Sequence, residues 1–383
     1  MLTTPARRAP VLPSFSMKSI PKDSRGTVCP TAGRLTRLLG PWLLLGSALP
    51  VVPPAPLHAA STSANAATAT APRVIGEIER RDPALDALLA PDAVIEQLAE
   101  GFDWSEGPVW DPRAGHLLFS DVPQNRIYRW HPTQGLSVFL EPSGFTGLTE
   151  SKRRQGSNGL TFDAAGRLLL CQHGDRRIAR LETDGRSFTT LADRWETRRF
   201  NSPNDLCQDS AGRIYFTDPP YGLANDEPRD LDFHGVYRLD PDGKVTLLTK
   251  ELERPNGIAL SPDGKRLYVA NSHRPRPVIM SYPLDTSGSI GAGTVLFDAT
   301  PFFANRPGHG GVPDGLKVDE RGNLWTTGPG GVLILRPDGH LLGRILPGHT
   351  TANCAWGDDG RTLYLTSDGV LARVRTRVAG PLR

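Results

Sequence analysis

From residue 100 onward one pattern recurs six times. A polar residue opens a short alternating strand, an Asp or Ser follows five positions later, a Gly comes soon after, and a second apolar strand ends the unit. The pairs are Glu106 with Asp111, Asn158 with Asp163, Asn204 with Asp209, Asn256 with Ser261, Asp314 with Asp319 and Asn353 with Asp358. Second strands are expected over 117–120, 168–171, 214–217, 267–270, 324–327 and 363–366. Asp-x-x-Gly chemistry in the turn and Val, Tyr, Phe, Trp and Leu in the strands make each unit a hairpin. Successive polar residues lie 52, 46, 52, 58 and 39 positions apart. Units of four short strands at that period predict an all-β fold, a six-bladed β-propeller. A solenoid would need polar end caps, and none is found. The residues after Asn353 suffice for three strands, so the fourth strand of the last blade is expected from the N-terminal side, over 94–100, closing the ring. Residues 82–90, with an Asp-Pro start, read as a short helical cap before that strand.

With 383 residues and 38% hydrophobic content the chain has enough apolar material for a core, which excludes wholesale disorder. No run of eighteen apolar residues occurs, which excludes a multi-pass membrane protein. The net charge of +3 is unevenly placed: residues 1–60 hold seven basic groups and one acid, leaving the remainder at −3. A nucleic-acid partner is therefore not expected. Arg34 and Arg37 precede the apolar run 38–49, and the small residues Ala59, Ala60 and Ser61 follow. That is the order of a secretory signal peptide over 1–60, cleaved near Ala60 or Ser61, with Met1 or Met17 as the start. A flexible linker over 61–74 and a propeller domain over 75–383 complete the expected organisation. The expected location is periplasmic or secreted, with no stable membrane insertion after cleavage. Cleavage would leave Cys171, Cys207 and Cys354, an odd number inside apolar runs, read as buried thiols.

In a propeller the innermost strands line a central channel, so Glu106, Asn158, Asn204, Asn256, Asp314 and Asn353 are expected to converge. Asn and Asp before Gly also serve as turn residues, but turn chemistry alone does not call for carboxylates and carboxamides at one registered position. An oxygen-rich ring suits a hard cation, Ca2+ first and Mg2+ or Mn2+ next; Zn2+ comes last because it favours His and Cys. His173, beside Arg176 and Arg177 at a strand end, reads as a structural histidine or a proton shuttle. No Gly-x-Ser-x-Gly sequence is present, so serine hydrolase chemistry is not expected.

Several segments carry a resemblance. Ser105-Glu106-Gly107-Pro108-Val109-Trp110, Ser157-Asn158-Gly159-Leu160, Cys171-Gln172-His173-Gly174-Asp175-Arg176-Arg177, Pro203-Asn204-Asp205-Leu206, Tyr215-Phe216-Thr217-Asp218-Pro219-Pro220-Tyr221-Gly222, Arg254-Pro255-Asn256-Gly257-Ile258 and Val312-Pro313-Asp314-Gly315 resemble the SMP-30/gluconolactonase/LRE-like family. The likeness is to its bacterial gluconolactonase branch and covers roughly residues 80–375 in order. It implies a six-bladed propeller with a divalent cation, usually calcium, and hydrolysis of a small-molecule lactone or related ester. Motif by motif, the family's metal ligands fall on Glu106, Asn256 and Asp314, with Asn204 ligating or contacting substrate and water. Asp314 is the first choice for general base, with Asp205 and His173 as alternatives. Asn158, Arg176 and Asn353 are then the substrate-binding candidates, and the loops 143–156, 223–235 and 271–277 are where substrate choice would vary. Two other readings compete: an exported, non-catalytic propeller that binds a sugar or protein, and a metal-dependent esterase or phosphotriesterase.

Overall fold

The computed structural model describes residues 72–148, 150–303 and 310–382. The leader 1–60 and most of the linker lie outside the described residues, as does the proposed cleavage point. Among the described residues six antiparallel blade sheets follow one another in chain order, with a separate two-stranded pair, Arg194–Trp195 with Arg198–Arg199, between the second and third. The innermost strands of the blades are Ser105–Asp111, Ser157–Phe162, Leu206–Gln208, Pro255–Leu260, Leu316–Val318 and Thr351–Gly357. Each of these strands contacts the innermost strands of both neighbouring sheets, and the last contacts the first, so the blades form a closed ring. The protein is a six-bladed β-propeller.

The second strand of every blade shows why the sequence packs this way. In His116–Asp121 the residues are buried on both faces. Leu117 and Phe119 pack toward the last blade, whereas Leu118 packs toward the second. Side chains alternate across a strand, so a continuous apolar run suits a strand sandwiched between two blades. Six buried apolar clusters among the described residues sit at the six blade interfaces. The hydrophobic core is thus distributed around the ring, and the axis is left to polar residues. Asp163, Asp209 and Asp319 cap the hairpin turns, each Oδ1 accepting the backbone N–H four residues on at 2.8 Å, 3.0 Å and 2.9 Å.

Closure occurs as the sequence suggests. Ile95–Glu100 pairs antiparallel with Val370–Arg375 and supplies the fourth strand of the last blade. Two additions were not foreseen: Arg73–Ile75 extends that blade, and Glu77–Arg80 extends the fifth. Arg73 and Val74, assigned above to the linker, therefore lie in a sheet, because the edge of Ile95–Glu100 still offered free backbone groups. Residues Pro83–Ala87 form a single 3-10 turn, capped by Asp82 accepting from the Ala84 N–H at 2.8 Å. Its Leu85, with Leu88 and Leu89, fills the interface between the fifth and sixth blades. No helix among the described residues is long and apolar enough to cross a membrane. Cys171 and Cys354 are buried thiols, and Cys207 is half-buried on the channel wall.

Candidate functional site

Each inner strand begins at one mouth of the channel, and the register between first and second strands fixes which residue faces the axis there. Asn158, Asn204, Asn256 and Asp314 each stand four residues before the strand's last pairing with its partner, at Phe162, Gln208, Leu260 and Val318, and Glu106 stands four before Trp110, the equivalent pair of the first blade, where the ladder runs on by one to Asp111. In the sixth blade Trp356 pairs with Leu363 as Trp110 does with Leu117, and Thr351 pairs with Ser367 as Ser105 does with Asp121. The registered residue is therefore Ala352, and the expected ring position of Asn353 is displaced by one. The sixth turn opens at Gly357, whose carbonyl accepts from Gly360 N–H, as Asp163 accepts from Gly166; Asp358 lies one residue inside it.

Two layers result. At the mouth stand Glu106, Asn158, Asn204, Asn256, Asp314 and Ala352. Beneath them stand Gly107, Gly159, Asp205, Gly257, Gly315 and Asn353. Glycine is required in this second layer because neighbouring backbones approach there. A Cβ on Gly257 would lie 2.1 Å from the Asp314 carbonyl oxygen, and one on Gly315 would lie 2.1 Å from the Asn353 side chain. The two side chains of the layer, Asp205 and Asn353, occupy the space that the glycines leave.

The mouth opens into a cavity of about 510 Å3 lined by Glu106, Asn158, His173, Asn204, Asn256 and Asp314. Asp205, Asn353 and Arg176 do not line it. Asp205 lies below the mouth, its Oδ1 accepting the Leu206 N–H at 2.9 Å. Arg176 has φ +57° and turns into the neighbouring loop, donating from Nε to the carbonyls of Phe200 at 2.7 Å and Asn201 at 3.1 Å. Trp104, Gln155, Tyr221, Ser272 and Arg274 also line the cavity and were not singled out from sequence, whereas Arg153, a basic residue of the 143–156 loop read as able to orient a sugar acid, does line it. Tyr221 stood inside a quoted motif, which was the available signal. The expected specificity loops do meet here: Arg153 donates to the Tyr221 carbonyl at 2.7 Å, and Lys152 pairs with Asp226.

The loops that deliver the mouth residues are clamped by polar ends of second strands. Asp121 accepts the N–H groups of Asp103 and Trp104, just ahead of Glu106. Asp218 accepts those of Asn201 and Ser202, both at 2.8 Å, ahead of Asn204. Asn271 Oδ1 accepts from Arg254 N–H at 2.9 Å, ahead of Asn256. In these three blades a second-strand cap thus sets the starting point of the inner strand.

The electrostatics of the mouth favour a cation. Burial pushes the Glu106 carboxyl up to about 7, with Asp205 adding repulsion against the hydrogen bond from Gly107 N–H. Burial, then Glu106 and Asp205, pushes Asp314 well above the usual carboxylate range. Asn256 donates Nδ2 to Ser272 Oγ at 2.9 Å, and Ser272 in turn donates to the Pro313 carbonyl at 2.6 Å. That chain fixes the orientation of the Asn256 amide at the mouth. Asn158 Oδ1 and Asp314 Oδ1 are buried without a hydrogen-bond partner, as is His173 Nε2. Burial, then the Arg153 charge, lowers His173 to about 3, so its imidazole is neutral near pH 7. No group of three or more His, Cys, Asp and Glu side chains placed for a metal occurs among the described residues. The mouth combines two carboxylates with three carboxamides instead, a donor set that fits a hard, oxygen-seeking cation and leaves room for a ligand.

Comparison with known proteins finds one family over most of the propeller. The SMP-30/Gluconolactonase/LRE-like region matches residues 104–369. A gluconolactonase of Zymomonas mobilis is 40% identical over 87% of this chain and 97% of its own. A 6-deoxy-6-sulfogluconolactonase of Pseudomonas putida is 32% identical over 68% of this chain and 82% of its own. The solved structure of a Xanthomonas campestris gluconolactonase is 32% identical, with a TM-score of 0.70, and spans 80% of this chain and 96% of that one.

Proposed function

Because the chain belongs to the SMP-30/gluconolactonase/LRE-like family, we propose that it hydrolyses a sugar lactone with a divalent cation, calcium first, held at the channel mouth. The observation that carries this reading is the ring of oxygen donors with unpartnered Asn158 Oδ1 and Asp314 Oδ1 facing one cavity. Glu106, Asn256 and Asp314 would hold the ion, with Asn204 at its open side. When bound, the ion supplies Lewis acidity to a lactone carbonyl. Asn204, delivered by the Asp218 clamp, donates its amide to the carbonyl oxygen or orients the attacking water. Asp314 takes a proton from that water as its oxygen adds to the carbonyl carbon. The ring C–O bond then breaks, and the released oxygen takes up the proton to give the hydroxy acid. Asp205, below the mouth, is less well placed as a base than the notionally equivalent carboxylate of Asp314. Neutral His173 presents Nε2 to the cavity as an acceptor for a substrate hydroxyl, and Asn158 presents Oδ1 for the same purpose. Asn353 and Arg176 support the reading as scaffold rather than as substrate contacts.

The test is a pH-drop assay on glucono-δ-lactone and several γ-lactones, with calcium and with chelator. Asp314→Ala and Glu106→Gln are each expected to lose calcium affinity and nearly all turnover while keeping a β-rich circular dichroism spectrum. Wild-type turnover in either variant at low calcium would overturn the assignment. The charged and apolar leader supports export to the periplasm or beyond, and N-terminal sequencing of native protein should find a start near Ala60 or Ser61.

A further inference from the structure

Below the mouth the channel is crossed by Asp205, Asn353 and Lys317. Lys317 lies three residues beyond Asp314 on the fifth inner strand. Its registered counterparts on the other blades are Val109, Thr161, Cys207, Ala259 and Ala355, none of them charged. Its ammonium donates to the Leu316 carbonyl at 3.1 Å and to Asn353 Oδ1 at 3.2 Å. Asn353 Oδ1 also accepts the Cys354 N–H at 2.9 Å. The other end of the same amide donates from Nδ2 to Glu106 Oε2 and to Asp205 Oδ2, both at 3.4 Å. Chemistry allows only this orientation: a flipped amide would set its oxygen against two carboxylates and its NH2 against an ammonium and an N–H.

Lys317 makes no ion pair, and neither Glu106, Asp205 nor Asp314 is salt-bridged to any Lys or Arg among the described residues. A half-buried ammonium without a carboxylate partner is costly unless its charge is used at a distance. The amide is the polarisable link through which it is used. We propose that Lys317 is a positioning residue, the counter-charge that, relayed by the Asn353 carboxamide, balances Asp205 beneath the mouth at some cost in attraction for the cation. With Asp205 balanced in this way, Glu106 and Asp314 are left to neutralise a divalent ion.

The inference rests on the cation-site reading above, and its test separates the two. Full-length Lys317→Met, which keeps the length of the side chain, and Lys317→Arg, which keeps the charge, are compared with wild type at pH 8. Calcium alone is titrated calorimetrically without lactone, and calcium-free protein is melted separately. Removing a like charge close to the site should tighten calcium binding about tenfold in Lys317→Met. Its calcium-free melting temperature should fall by about 3 °C, because the carboxylates lose their counter-charge. Lys317→Arg should restore both towards wild type. Wild-type calcium affinity and melting in Lys317→Met would overturn the proposal, and so would weaker calcium binding, which would make the residue ordinary packing. Should Lys317→Met not fold, Lys317→Gln, which keeps a donor to Asn353 without the charge, is read in the same way. If wild type binds no calcium, the cation-site reading falls, and the calcium-free melting still decides the role of Lys317. If wild type binds calcium but opens no lactone, only the hydrolase reading falls.

Discussion

Gly315 and Asn353 offer a direct measurement of how the second layer is packed. A Cβ on residue 315 would lie 2.1 Å from Asn353 Cγ, 2.2 Å from its Oδ1 and 2.5 Å from its Nδ2. These separations are far below van der Waals contact, and the atoms met are the amide that bridges Lys317 to Glu106 and Asp205. Gly315→Ala must therefore expel that amide. Overpacking costs about 1–3 kcal/mol, and each hydrogen bond lost from the displaced amide adds about 1 kcal/mol. The sum expected for Gly315→Ala is about 3–5 kcal/mol. Asn353→Ala alone loses the bonds without the clash and should cost about 2–3 kcal/mol by the same figures. In the double variant the new methyl occupies space vacated by the amide, so its cost should not exceed that of Asn353→Ala. A double-mutant cycle by urea denaturation, with m-values checked for constancy, should give a coupling of about 3–5 kcal/mol. Additive costs, with coupling below about 1 kcal/mol, would refute the close fit of Asn353 into the space above Gly315.

Three other outcomes follow from the same geometry. Asn204→Ala should lower kcat by about 10²-fold, the usual worth of one donor to a developing oxyanion, and steady-state kinetics with an unchanged kcat would remove Asn204 from the chemistry. Arg176→Ala should leave KM within about twofold and lower the urea midpoint, since its Nε satisfies the Phe200 and Asn201 carbonyls; a raised KM with unchanged stability would count against that placement. Calcium-free protein should lose stability as pH rises from about 4 to about 7. Burial raises Glu106 and Asp218 to about 7 in the folded state, and raises Asp314 too. These three carboxyls therefore bind more protons in the folded protein than in the unfolded chain across that window, outweighing the opposite contribution of His173, lowered to about 3, and the slope is negative. Calorimetry in chelator at pH 5 and pH 8 should show the fall, calcium should flatten it, and a rise instead would contradict the sign.

Strand positions, the closing segment and five of the six mouth residues are legible in the sequence because each rests on a local rule. Alternation makes Leu117–Leu118–Phe119 a doubly buried strand, and Asp163 or Asp209 capping the turn five residues on keeps the phase of the repeat. The last unit shows where a local rule stops. Asp358 stands five residues after Asn353, yet the turn opens at Gly357, and only the pairing of Thr351 with Ser367 reveals that Ala352 takes the mouth position. Turn composition constrains a hairpin loosely, whereas inter-strand hydrogen bonds fix its register to the residue.

The sequence by itself therefore determined the blade count, the order of the strands and the oxygen-rich character of the channel mouth. The tertiary structure alone decided which side chains meet there. Arg176 is adjacent in sequence to the His173 loop, but its left-handed backbone turns it toward Phe200 and away from the cavity. Lys317, Asn353, Asp205 and Glu106 come from four blades, and no spacing along the chain announces that they share one chain of hydrogen bonds. Alternation and turn chemistry act over a few residues and are written into them. Proximity at the axis arises only when six apolar interfaces close the ring, and that closure sets distances between residues as far apart in sequence as Glu106 and Asn353.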